Sequence, residues 1–184
     1  MPAHLLAFDT STEALAIGLA GPVGHELFNG PGGAQASATL LPRIRELLAR
    51  QGLTVAGLAA IAYGCGPGAF TGLRTACSVA QGLAFGAGLP VLPIDSLMIV
   101  AEDARRQAGA DAADDVGVAM DARMGELYAA RYRHTGGGWA VTMAPRLCDP
   151  AALVDCPYVL CGSVAQVVDK LERLREELGV SHAV

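Results

Sequence analysis

The first hundred residues are a series of short apolar runs of strand length, broken by stretches with a helical period. His4 to Phe8 is apolar and stops at Asp9; Thr10, Ser11 and Thr12 follow, and Ala14 to Leu19 reads as a second strand after that hydroxyl-rich turn. A Gly21-Pro22 turn leads to a short strand at Glu26 to Phe28, and Gly30 to Gly33 reads as a flexible loop. Ala36 to Arg50 then has a 3.6-residue period, with Leu40, Leu41, Ile44, Leu47 and Leu48 on one stripe. Pro42 is tolerated in a first turn and bends the helix if it lies deeper. Gly52 marks the stop. Leu58 to Tyr63 is a buried-strand pattern, Thr71 to Gly86 a helix, Leu89 to Ile94 a strand, and Ser96 to about Ala108 another helix.

The second half repeats the opening. Val116 to Met120 is apolar and ends at Asp121; a turn at Ala122 to Gly125 leads into Glu126 to Tyr132, which alternates as a strand does. Gly136 to Gly138 is a turn and Trp139 to Met143 a third strand. Tyr158 to Cys161 looks like the end of another strand, and Val164 to Leu178 like a helix with Val167, Val168, Leu171, Leu174 and Leu178 on one face. The repeat predicts two related α/β lobes, residues 1–108 and 109–184, divided at the small, acidic run Gly109 to Asp115.

One stretch holds the first half together: Gly64-Cys65-Gly66-Pro67-Gly68-Ala69-Phe70-Thr71-Gly72-Leu73-Arg74. Its glycines permit positive φ and close backbone approach, Pro67 stiffens the turn, and Thr71 is placed to cap the helix. Two readings are open. The helix start is suited to an anion such as a phosphate, with Asp9, Thr10, Ser11, Gly66, Gly68, Thr71 and Arg74 nearby; or the loop is a tight strand-to-helix turn with no ligand. Asp9 and Asp121, each ending the first strand of a lobe, either face a metal–phosphate group or satisfy turn backbone groups. In the helix that follows, Gly72, Ala76, Ala80 and Ala84 recur every four residues, a stripe on which another helix or the chain's own sheet can pack closely.

Composition narrows the function classes. The chain is 52% hydrophobic and 17% charged with net charge −5, so it is mostly packed and lacks the basic footprint of a lone nucleic-acid binder. The five cysteines include no CxxC pair and the four histidines no metal-ligand spacing, which predicts reduced thiols, a cytoplasmic location and no bound metal. There is no signal peptide pattern; Thr71 to Ile94, the most apolar long stretch, carries Arg74, Gln81 and two prolines and is a poor membrane span. No Walker lysine motif and no nucleophile–base pairing is discernible, and Cys65 has no evident base.

The ordered set Leu6-Ala7-Phe8-Asp9-Thr10-Ser11-Thr12, Gln35 to Leu48, Gly64 to Arg74, Pro93-Ile94-Asp95-Ser96-Leu97 and Met120 to Tyr128 resembles the TsaB (YeaZ) family over roughly residues 3 to 165. The resemblance implies an actin-like ATPase (ASKHA) fold of two RNase-H-like lobes, the C-lobe shortened because the chain ends earlier than family members do. It implies a non-catalytic subunit in making threonylcarbamoyladenosine on tRNAs that read codons starting with A. The partners it implies are the catalytic paralogue TsaD and the ATPase TsaE, with a homodimer as the alternative pairing and tRNA reached through the complex. It implies no tightly bound cofactor and leaves ATP or ADP a place at the complex interface. Pairing in that family uses the two N-lobe helices. Here that gives Leu40, Leu41, Ile44, Leu47, Leu48, Gly72, Ala76 and Ala80 as interface candidates, some of which must instead face the sheet. Gln81, where relatives often carry Lys, and Cys77-Ser78 depart from the family pattern. The alternatives are a small-molecule kinase of the same fold, which needs a catalytic acid or base, and a glycoprotease-like metallopeptidase, which needs a metal set.

Overall fold

A computed structural model describes residues 3–109 and 114–150, so the expected strand at Tyr158 to Cys161 and helix at Val164 to Leu178 lie outside the described residues. The contacts divide the chain into two units, Met1–Ser96 and Leu97–Val184.

The first unit is a five-stranded sheet with two helices. In chain order its elements are β1 (Leu5–Asp9), β2 (Ala14–Gly21), β3 (Gly24–Pro31), α1 (Ala36–Arg50), β4 (Ala60–Gly64), α2 (Phe70–Ala87) and β5 (Val91–Ile94). The sheet order is β3-β2-β1-β4-β5. β1 runs antiparallel to β2 and parallel to β4, so Asp9 and Gly64 end neighbouring strands at the same edge. The hairpins β1–β2 and β2–β3 need only short turns, while the parallel steps into β4 and β5 are crossovers filled by α1 and α2.

Alternation sets the core. Leu6, Phe8, Leu15, Ile17, Leu19 and Ile61 point to one face, where they meet Leu40, Ile44, Leu47 and Leu48 of α1 and Ala76, Ala80 and Ala84 of α2. Pro42 lies inside α1 rather than in its first turn, on the exposed side. Gly30 to Gly33 is not a free loop: β3 continues through Pro31, the Gly32 N–H donates to Glu13 O at 2.8 Å, and a side chain at Gly32 would strike the Ala14 carbonyl.

The second unit has β6 (Asp115–Arg123), β7 (Glu126–Thr135) and β8 (Gly138–Cys148) as an antiparallel meander. The turn between β6 and β7 places Met124 and Gly125 both at positive φ, the geometry of a two-residue hairpin loop. α3 (Ser96–Ala108) starts at the last residue of the first unit, but Leu97 and Ala101 are buried with Val118, Ala130 and Tyr132. Trp139 Nε1 donates to Glu102 at 3.0 Å, and Arg105 and Arg106 close on the same carboxylate. The sequence reading draws its boundary after Ala108; the contacts draw theirs before Leu97 because these apolar and polar groups of α3 are used by the second sheet.

Candidate functional site

The glycine loop is a packed joint. Asp9, at the end of β1, accepts hydrogen bonds at Oδ1 from the Ser11 N–H (2.7 Å) and the Ser11 hydroxyl (2.6 Å). Its Oδ2 accepts from Ser96 Oγ at 3.4 Å. Ser96 also fixes the loop: its N–H donates to Gly66 O at 2.8 Å, and its Oγ accepts from the Gly66 N–H at 3.2 Å. The Thr10 hydroxyl, fully buried, donates to Gly72 O at 2.7 Å, and the Ala69 N–H donates to Ser11 O at 2.7 Å.

Glycine is required at this joint by contact. A Cβ at Gly64 would stand 1.6 Å from Asp9 Oδ2, one at Gly68 2.6 Å from Ser11 O, and one at Gly72 1.8 Å from Thr10 O. Gly66 has φ +106, and its peptide bond to Pro67 is cis. The helix start carries no side-chain cap: Ala69, not Thr71, is the N-cap residue, and α2 begins at Phe70. The turn Thr10-Ser11 lies against the first turn of α2, with Ser11 O accepting the Ala69 N–H and the Thr10 hydroxyl donating to Gly72 O.

Of the residues proposed near a phosphate, Asp9, Thr10, Ser11, Gly66 and Gly68 meet in this joint: Asp9 bonds Ser11, Ser96 links Asp9 to Gly66, Thr10 bonds Gly72, and Gly68 packs against Ser11. Thr71 and Arg74 are exposed, and the Arg74 guanidinium lies 3.7 Å over the Phe70 ring. Asp121 behaves as Asp9 does, accepting the Arg123 N–H at 2.7 Å two residues on. Cys65 is exposed, yet desolvation by the loop, and then the charges of Asp95 and Asp9, push its thiol pKa up, so it is a weak nucleophile at neutral pH. Among the described residues no three His, Cys, Asp or Glu side chains are gathered as a metal-ligand set, and no helix is long and apolar enough to cross a membrane.

The interface candidates divide sharply. Leu40, Ile44, Leu47, Leu48, Gly72, Ala76 and Ala80 are buried, and the leucines, Ile44 and both alanines belong to the core of their own sheet. The small-residue stripe lets α2 lie close to β4 and to the Thr10 backbone, so the chain's own sheet covers it. Leu41 is the exception and is exposed.

The outer face of α2 is the opposite one, and the sequence reading passed over it. Phe85 is 94% exposed and Phe70 67%. A side chain at Gly82 or Gly86 would meet nothing within 4 Å. On α1, Arg43 lies over the Phe28 ring and Arg50 pairs with Glu26, which marks its β3 flank; Leu41 and Arg45 lie on the other flank. The signal was present: a phenylalanine off the small stripe, on a face it shares with Arg74, Ser78, Gln81 and glycine.

Comparison with known proteins gives this geometry a family. Residues 33–180 match the family model described as TsaD: tRNA N6-adenosine threonylcarbamoyltransferase. The chain is 40% identical over 137 residues to the tRNA threonylcarbamoyladenosine biosynthesis protein TsaB of Escherichia coli (strain K12), covering 73% of this chain and 57% of that protein. It is 44% identical over 124 residues to the protein of the same name from Haemophilus influenzae, covering 67% and 51%. The chain thus spans a little over half the length of these curated relatives. The solved structure of YeaZ from Pseudomonas aeruginosa superposes with a TM-score of 0.75 at 37% identity, covering 89% of this chain and 73% of that one. The chain belongs to the TsaB/YeaZ family, carries its TsaD-type domain, and has the actin-like, RNase-H-like α/β fold.

Proposed function

We propose that this chain is the non-catalytic partner subunit in threonylcarbamoyladenosine formation on tRNA, pairing through the outer face of α1 and α2 with a TsaD-type catalytic subunit that TsaE joins. The carrying observation is Phe85, almost wholly exposed on the outer face of a helix whose neighbouring Gly82 and Gly86 let another helix approach. The names of the curated relatives supply the pathway. Burying a phenylalanine from water contributes roughly 1.5–3 kcal/mol, enough to make Phe85 an anchor but not a whole interface. The glycine joint supports the scaffold reading too: Asp9 has its oxygens engaged by Ser11 and Ser96, which fixes where α2 leaves the sheet. In this reading tRNA and any ATP or ADP are reached through the complex.

A second reading has one observation in its favour, the match of residues 33–180 to a transferase model, which would make the chain itself catalytic. The test is to mix this protein with a TsaD-type subunit and follow complex formation by light scattering after gel filtration, with and without ATP. TsaE, tRNA and the threonylcarbamoyl adenylate are then added. A defined heteromer that gains tRNA modification, with this chain inert alone, supports the scaffold reading. Modification by this chain alone supports the catalytic one. ATP turnover by this chain alone, without a complex, supports a kinase.

A further inference from the structure

β3 ends the first sheet with an open edge. It is 8 residues long, and among the described residues no strand pairs with its far side. One bond sets the phase of its ladder: the Gly32 N–H donates to Glu13 O, next to the pair Ala14 and Pro31. Bonded and non-bonded pairs alternate in an antiparallel ladder, so Gly30, Phe28 and Glu26 turn their N–H and C=O groups to β2. Asn29, Leu27 and His25 turn theirs outward. Edge strands are commonly blunted by charge, proline, a bulge or a covering element. β3 has Pro31 at one end, and its register with β2 runs unbroken. Its single charge, Glu26, is engaged on the α1 side by Arg50 and Gln51. Leu27, 66% exposed, stands in the middle of the open stretch on the face away from α1, where its side chain lies over Gly18.

We propose that β3 is an edge for pairing with a second copy of this chain, whose own β3 adds antiparallel across a two-fold axis at Leu27. Only the outward-turned residues can exchange backbone bonds, so near the centre of the strand the axis passes through Glu26, Leu27 or Phe28. An axis at Glu26 sets that carboxylate against its own copy, and like charges directly opposite are destabilising. An axis at Phe28 brings the two Arg43 side chains together, since Arg43 lies over the Phe28 ring. It also sets His25 against Pro31, which has no N–H to give. The axis at Leu27 has neither fault. His25 of each copy exchanges bonds with Asn29 of the other, and Leu27 with its own counterpart, which it also covers. Glu26 of each copy then stands opposite Phe28 of the other, the ring that carries Arg43, so acid and base are complementary on both sides of the axis. The edge uses no residue of α2, so the inference stands or falls apart from the pairing reading above. Strand pairing alone is at the small end of interface sizes, and the dimer forms as concentration rises.

The test follows self-association of the full chain by sedimentation equilibrium over a range of concentrations at low ionic strength. Leu27→Lys and Leu27→Glu are prepared separately, and urea denaturation checks that each folds. Wild type is expected to pass from monomer to dimer. Each variant alone should associate roughly tenfold more weakly, because like charges meet across the axis. The equal mixture of the two should associate several-fold more tightly than either alone, since lysine meets glutamate only in the mixed dimer. A variant that had merely misfolded would gain nothing from mixing. Phe85→Ser should leave the dimer intact. Wild type that stays monomeric at every concentration overturns the inference. So does a dimer that Leu27→Lys leaves unchanged or that Phe85→Ser dissolves, and so does a mixture no tighter than its components.

Discussion

Gly72 and Gly82 sit ten residues apart in α2 and stand in opposite surroundings. Gly72 lies against the Thr10 carbonyl, where a Cβ would come within 1.8 Å of backbone oxygen; Gly82 faces open space. Gly72→Ala is expected to destabilise the fold by about 3 kcal/mol or more, because backbone cannot rotate aside as a side chain can. Gly82→Ala is expected to stabilise by about 1 kcal/mol through helix propensity alone. Urea denaturation of the two variants checks both signs, and a neutral Gly72→Ala would refute the joint described here. The sequence shows that both residues are glycine and that one lies on a small-residue stripe. It does not show which neighbour that stripe touches, because a bare helix face admits a helix and a sheet equally well. That is why the sequence alone leaves Ala76 and Ala80 open between interface and core, whereas in the structure the sheet covers them.

Elements were legible to within a few residues where their hydrophobic period was unbroken. α1 spans the expected Ala36–Arg50, and β1, β2 and β7 follow their alternation. Strand ends were not legible: β3 and β8 run well past their apolar centres, since ladder hydrogen bonds continue through residues whose side chains carry no signal. The two faces of α2 give a direct prediction. Ala80→Arg would put a guanidinium where the native residue is fully buried, and is expected to unfold the protein, not merely to block pairing. Phe85→Ser should leave stability within about 0.5 kcal/mol and weaken association with a TsaD-type subunit. Thermal melts beside gel-filtration light scattering separate these outcomes; a Phe85→Ser protein that pairs as well as wild type would place the interface elsewhere.

α3 adds an electrostatic prediction at the same scale. Hydrogen bonds from Arg105 and Arg106, and then from Trp139, hold the Glu102 carboxyl far below the usual carboxylate range despite partial desolvation. A pKa lower in the folded than in the unfolded state means that the ionised form stabilises the fold above the unfolded value, about 4.3 for Glu. That contribution is lost as pH falls from there toward the folded value. Glu102→Gln should therefore lower stability at neutral pH, and its difference from wild type should shrink through the acid limb. Trp139 is the chain's single tryptophan and packs in this unit, so its fluorescence reports the transition. A difference constant with pH would mean that the carboxylate charge contributes nothing.

For the whole molecule the instructive residues are Leu97 and Ala101. The run Gly109 to Asp115 is small and acidic, as linkers are, and the sequence places the lobe boundary there. Periodicity says that α3 has an apolar face; it cannot say which sheet that face serves. Leu97 and Ala101 are both fully buried in the core with Val118, Ala130 and Tyr132, and Glu102 holds Trp139 of β8. If the division before Leu97 is a unit of stability and not only of contacts, loosening α3 should loosen the second sheet. Ala101→Gly removes one buried methyl and adds the cost of glycine in a helix, about 1 kcal/mol or more in total. Native-state hydrogen exchange should then show roughly a fivefold or larger loss of protection in β6, β7 and β8 along with α3, and little change in β1, β2 and β4. Loosening confined to α3 would show that the helix is only laid on the second sheet, while equal loss in β1 to β8 would make the described residues one cooperative unit and return the boundary to a matter of connectivity.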